Sequence, residues 1–196
     1  MEMIDNSNEL INGAEGVVIH NGNVVLGMQK PKRWYELPNG EKATIIKTLG
    51  GEIEEKDENS SKRALVREVL EEVEGIEEKD IRVSKRPIFT KRIRMGELNP
   101  YERQSELSMK ADFYLLEISK KKNIKPNDLP ALLEIPLKEF LKLDFARQGN
   151  LNDLQAYVKE NEKGTLELPE HYAFMIPREV KDFFERMRGN RGDDGR

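Results

Sequence analysis

The stretch from Thr44 to Gly75 constrains the fold of this chain more than any other part of it. The run Thr44-Ile45-Ile46-Lys47-Thr48-Leu49 is rich in β-branched residues, reads as a strand and ends at Gly50-Gly51. A polar stretch with no hydrophobic period follows, Glu52 to Ser61. The pattern then predicts a helix from about Lys62 to Glu74, with Ser60 or Ser61 as its cap and Gly75 as its stop. A strand that feeds a helix through one polar loop asks for a sheet on which that helix can lie.

The helix carries an unusual charge pattern. With Val66 at zero and about 100° per residue, Val69, Leu70 and Val73 fall within about 60° of it. Glu68, Glu71 and Glu72 fall near ~200°, ~140° and ~240°, opposite that apolar face. Like charges at this spacing destabilise an isolated helix by roughly 0.2–0.5 kcal/mol a pair. Taken alone, such a run reads as a solvated face, screened here by Lys62, Arg63 and Arg67. A hard divalent cation gives a second reason to keep three carboxylates together. Mg²⁺ takes oxygen ligands and retains water and substrate phosphates in its shell.

The rest of the chain mixes strands and helices without a steady alternation. Gly16 to Met28 reads as a hairpin turning at Asn21-Gly22, a dipeptide that accepts the positive φ of a tight turn. Ile81 to Val83, Pro87 to Met95 and Ala111 to Ile118 read as extended, with a loop from Gly96 to Ser105. Ser119 to Asp128 reads as a Lys-rich loop and Leu137 to Lys142 as a short helix. Amphipathic helices are expected over Asn152 to Asn161 and Pro177 to Arg188. The expected class is α/β in the broad, α+β sense, a mixed β-sheet between helices. The expected organisation is a flexible N-terminus over 1–12, one domain over 13–188 and a disordered tail over 189–196.

Composition narrows the chemistry. The 196 residues include no Cys, which excludes a disulfide framework, a Cys-ligated metal and a thiol nucleophile. Two His exclude a His-rich metal site, so any catalysis rests on carboxylates. With 33 Lys plus Arg against 37 Asp plus Glu, the net charge of −4 argues against a generic nucleic-acid coat. No apolar run approaches the ~18 residues of a membrane span. Met1 to Leu10 carries three acids and no base, unlike a signal or transit peptide, and a cytoplasmic location is expected.

Gly51, Arg67, Glu68, Val69, Glu71, Glu72, Gly75 and Ile76 together resemble the Nudix box, and Glu54 fits the Gly-Gly-x-x-Glu opening common in that family. The box reads Gly, five residues, Glu, seven residues, then Arg-Glu-apolar-x-Glu-Glu-x-Gly-apolar. Here Gly51 to Arg67 is two residues longer than that pattern, and one extra residue precedes Gly75. Either Glu58 or Asp57 stands for the first Glu of the motif. The core from Arg67 to Glu72 is intact.

The resemblance implies a Nudix-like sandwich and hydrolysis of a diphosphate linked to another group, typically in a nucleoside diphosphate derivative. It implies Mg²⁺, with Mn²⁺ as substitute, held by Glu68, Glu71, Glu72 and the Gly50 carbonyl. Arg67 is expected to pair with a carboxylate and orient the loop. The general base is one of these glutamates or a later one, Glu102 or Glu106. Candidate substrate contacts are Trp34 and Tyr35, flat enough to stack on a base, and Arg92, within the basic segment Lys85 to Arg94. The partners implied are a small nucleotide-type substrate and, by resemblance alone, a second copy in a homodimer. Two other readings stay open: a nucleotide sensor without turnover, and a hydrolase of RNA 5′ ends that uses the basic segment.

Overall fold

The computed structural model of the protein describes residues 10–94, 108–162 and 166–190. The chain opens with β1 (Leu10–His20) and β2 (Asn23–Met28), joined at Asn21-Gly22, where φ is 52° and 80°. Then come β3 (Tyr35–Glu36), β4 (Lys42–Lys47), β5 (Leu49–Glu52), α1 (Ser61–Glu72) and β6 (Val73–Glu74). β7 (Ile81–Val83), β8 (Phe89–Arg94), β9 (Ser108–Ile118), β10 (Lys125–Pro126) and β11 (Ala131–Pro136) follow. After a short helix, Leu137–Phe140, come β12 (Gly149–Asn150), a 3-10 helix Leu151–Tyr157, β13 (Val158–Glu160) and β14 (His171–Met175). A helix over Arg178–Asn190 closes the described chain.

Among the described residues, twelve strands join in one sheet whose main path runs β12-β14-β4-β2-β1-β9-β7. β1 lies parallel to β9, and β4 parallel to β14, while the other pairs are antiparallel. This is a mixed sheet. Alternation along the strands sends side chains to two cores. Ala14 and Val18 of β1 and Leu116 of β9 pack with Ala64, Leu65 and Val69 of α1. Val17 and Phe113 pack on the other face with Phe140, Leu151, Leu154, Val180 and Phe184. The sheet is thus sandwiched between α1 and the later helical segments, the α+β class expected.

Four details differ from the sequence reading. Asn152 to Asn161 is not an amphipathic α-helix; it is a 3-10 helix followed by β13, which pairs with β11. Leu151 and Leu154 are buried three residues apart, the period of a three-per-turn helix, and Val158 then continues extended. α1 stops at Glu72 instead of Glu74, because Val73-Glu74 pairs with Lys125-Pro126 and Gly75 turns the chain at φ 91°. β1 begins at Leu10, inside the segment expected to be flexible, where it pairs with β9. β11 and β14 lie in stretches to which the sequence assigned no strand. β14 contains no β-branched residue, and its strand conformation comes from parallel pairing with β4, more than a hundred residues away in sequence. The expected loop Gly96 to Ser105 and residues 191–196 of the expected tail lie outside the described residues, while the last helix includes Gly189 and Asn190.

Candidate active site

β5 lies at very close range against β1 and against Glu68 and Glu72 in the second half of α1. Gly50 has φ 142°, and a Cβ there would meet the Ala14 carbonyl at 2.2 Å, so only glycine lets β5 lie this tightly on β1. At Gly51 a Cβ would come within 2.6 Å of the Glu68 carboxylate, so its absence makes room for that acid. Ser60 caps α1, its hydroxyl accepting from the Arg63 N–H.

The outer half of the site is organised by Arg67. Its Nε and Nη2 donate to the two oxygens of Asp57 at 3.0 and 2.9 Å, a bidentate fork, and Nη2 also donates to the Glu52 carbonyl. Nη1 faces Glu68 at 2.6 Å, Glu54 at 3.3 Å and Glu71 at 3.4 Å. One guanidinium therefore gathers four acids and one carbonyl from the loop and the helix. Of the two acids left open by spacing, Asp57 reaches Arg67. Glu58 sits in a left-handed conformation at the surface and pairs with Arg63. A 3-10 turn, Glu55–Asp57, holds Asp57 in place, with the Glu54 N–H donating to it. Hydrogen bonds from Arg67 hold the buried Asp57 carboxyl below the usual carboxylate range.

The inner half is different. Glu72 is only 6% exposed, although the helical wheel places it with the solvated acids. The buried side of α1 is centred on Ala64, Leu65, Val69 and Glu72, while Val66 and Leu70 are only partly covered, so the face is rotated from the one expected. Glu72 meets Lys47 of β4, whose ammonium lies 3.1 Å from Oε1, 3.0 Å from the Gly50 carbonyl and 3.2 Å from the Thr48 carbonyl. The other Glu72 oxygen accepts from the Gly50 N–H. Burial pushes the Glu72 carboxyl up, against the pull of Lys47. For Lys47, burial opposes the charge, but Glu72 and Glu15 outweigh it and the pKa is raised. Glu15 completes the group. It is buried, accepts from the Thr48 hydroxyl at 2.7 Å, and is pushed up to about 7 by burial against the attraction of Lys47.

Lys47, Glu15 and Thr48 were missed in the sequence. The available signal was a single charged residue inside an otherwise apolar strand run, Lys47 among Thr44 to Leu49 and Glu15 before Gly16-Val17-Val18. Glu102 and Glu106 lie outside the described residues.

The donor set fits a divalent ion in one half only. Glu68 and Glu71 each turn one oxygen to Arg67, with side chains 18% and 49% exposed. Gly50 and Glu72, the other two expected ligands, are already engaged by Lys47. Among the described residues, three carboxylate or imidazole ligand atoms come within 4.8 Å of one another elsewhere, at Glu41, Glu170 and His171.

The structure also separates the expected substrate contacts. Arg92 is exposed on β8 and lines a cavity of about 280 Å³ that Glu15, Thr48, Phe113 and Phe174 also line. Tyr35 is 9% exposed and packs with Ala43 and Ile45, so its ring is core. The Trp34 indole N–H donates to the Gln29 carbonyl, and neither aromatic lines that cavity. Lys91, within the basic segment, is paired with Glu179 of the last helix. Among the described residues no helix is long and apolar enough to cross a membrane.

No family model and no curated protein matches the chain. Solved structures resemble it at low identity. The dihydroneopterin triphosphate pyrophosphohydrolase of E. coli aligns over 74% of this chain and 91% of its own, at 14% identity and TM-score 0.48. The Ap4A hydrolase of C. elegans in a binary complex aligns over 67% and 84%, at 10% and 0.44. The NUDIX domain of Shewanella oneidensis NrtR, complexed with ADP ribose, aligns over 69% and 79%, at 14% and 0.43.

Proposed function

We propose that this chain is a Nudix pyrophosphohydrolase, cleaving a diphosphate bond in a nucleoside diphosphate derivative by attack of water at phosphorus with Mg²⁺ or Mn²⁺. The observation that carries the reading is the Arg67 fork. It ties the loop after Gly50-Gly51 to the helix through Asp57 and holds Glu68 and Glu71 side by side at a solvent-facing edge. The loop contains a 3-10 turn at Glu55–Asp57, and Arg67 reaches an acid of that turn and two acids of α1.

Glu68 and Glu71 would hold the divalent ion, which when bound neutralises phosphate oxygens and lowers the pKa of a water. Arg67 is a positioning residue, since its donors are turned to carboxylates and to the Glu52 carbonyl. The cavity beside Glu15 supplies the substrate side, with Arg92 for an anionic group and Phe113 and Phe174 as apolar wall. At about 280 Å³ it suits one ring system better than a whole dinucleotide.

The test is release of phosphate from nucleotide sugars, ADP-ribose, dinucleoside polyphosphates, nucleoside triphosphates and capped or triphosphorylated RNA, with Mg²⁺ or Mn²⁺. Metal-dependent turnover of one class is expected. Silence across all classes, with thermal stabilisation by one of them, would replace the enzyme by a nucleotide-binding module.

A further inference from the structure

We infer, building on the reading just proposed, that the Lys47 ammonium is a built-in cation. It fills the place between the Gly50 carbonyl and the Glu72 carboxylate, so divalent ions enter only at Glu68 and Glu71. An ammonium has three N–H donors, and here they meet three oxygens, those of Thr48, Gly50 and Glu72. The second Glu72 oxygen is held by the Gly50 N–H, so the carboxylate is fixed on both sides. Lys47 itself is anchored: β4 pairs at this residue with Gly27 on one side and Met175 on the other. Its side chain and that of Glu72 are 8% and 7% exposed.

A divalent ion on the same two oxygens would have to expel the ammonium. The displaced charge would remain buried without acceptors, a strongly unfavourable state. Without the ammonium, the Glu72 carboxylate and the Gly50 and Thr48 carbonyls would form an all-oxygen pocket of the kind hard cations take. Lys47 and a divalent ion are therefore alternatives at one place. Of the outer pair, Glu71 is half exposed and Glu68 keeps partial access to solvent. The site carries fewer ions than its carboxylates suggest, and its inner positive charge does not depend on metal concentration.

The experiment counts Mn²⁺ bound to the full chain without substrate, from the EPR signal of the free ion. Lys47→Met is expected to bind one more Mn²⁺ per chain than the wild type, and Mn²⁺ to raise its Tm more. An unchanged count overturns the assignment. Should Lys47→Met fail to fold, Glu72→Gln in the wild-type background decides. It is expected to leave Mn²⁺ affinity within about twofold, while Glu71→Gln weakens it about tenfold or more. Equal weakening by Glu72→Gln and Glu71→Gln, with turnover present in the wild type, sinks the built-in cation and leaves the hydrolase reading standing. An extra ion in Lys47→Met, with no turnover in the wild type, does the reverse.

Discussion

Glu71 and Glu72 are adjacent in sequence, and their carboxylates live in different media. Glu71 is half exposed and shares a guanidinium with Glu54 and Glu68. Glu72 is buried against the sheet and shares an ammonium with two backbone carbonyls. One step of about 100° around the helix axis separates them. The outer half is built from residues close in sequence, Glu52 to Glu71. The inner half needs β1, β4 and α1 brought together, because Glu15, Lys47 and Glu72 come from three elements. An exposed acid tolerates loss of its partner. A buried one does not, because its desolvation cost stays when the attraction is gone.

The sharpest way to break this contrast is to remove the inner cation. Lys47→Met is expected to lower stability by about 3–5 kcal/mol, because it strands a buried carboxylate. Urea unfolding without metal reads this directly. Glu71→Gln should stay within about 0.5 kcal/mol in the same assay, since it relieves a like-charge contact at the surface. Similar losses in the two variants would erase the distinction between the halves. The effect of Glu71→Gln belongs in turnover instead, where a drop of about a hundredfold or more is expected with Mn²⁺ at saturating substrate. Normal turnover in that variant would remove Glu71 from the site.

The same contrast explains what the sequence made legible. The Asn21-Gly22 hairpin and a serine cap on α1 follow from short-range rules; the structure has the turn where they put it and, of Ser60 and Ser61, makes Ser60 the cap. The burial of Glu72 does not follow from such rules, because a helical wheel knows nothing of a lysine 25 positions upstream on another element. β14 is similar: Tyr172 and Phe174 favour a strand, but five residues without a β-branched side chain make a weak local signal, and the pairing with β4 is long-range. Spacing alone left Asp57 and Glu58 level, and geometry separates them. Asp57→Asn is expected to cost about 2 kcal/mol, since it removes the charge from a bidentate, largely buried pair. Glu58→Gln, at the surface, should fall within about 0.5 kcal/mol. Comparable losses would return the choice to open.

The last test concerns Glu15, where the inner half should reveal itself through pH. Its carboxyl is pushed up to about 7 in the folded chain, against the ordinary carboxylate range in the unfolded one. Between roughly pH 4.5 and 7 the folded chain holds a proton that the unfolded chain has released. Raising the pH across that window favours the unfolded chain, which has released the proton, so stability falls as pH rises, by up to about 3 kcal/mol for a shift of that size. Asp57 works in the other direction and in a different window. Its lowered carboxyl contributes stability that is present at neutral pH and lost only as pH falls below the usual carboxylate range. Glu15→Gln keeps an acceptor for the Thr48 hydroxyl but cannot titrate, so urea midpoints at pH 5, 6 and 7 should decline in the wild type and flatten in the variant. Parallel slopes would mean that Glu15 is already ionised at pH 5, which would make the inner half as well solvated as the outer.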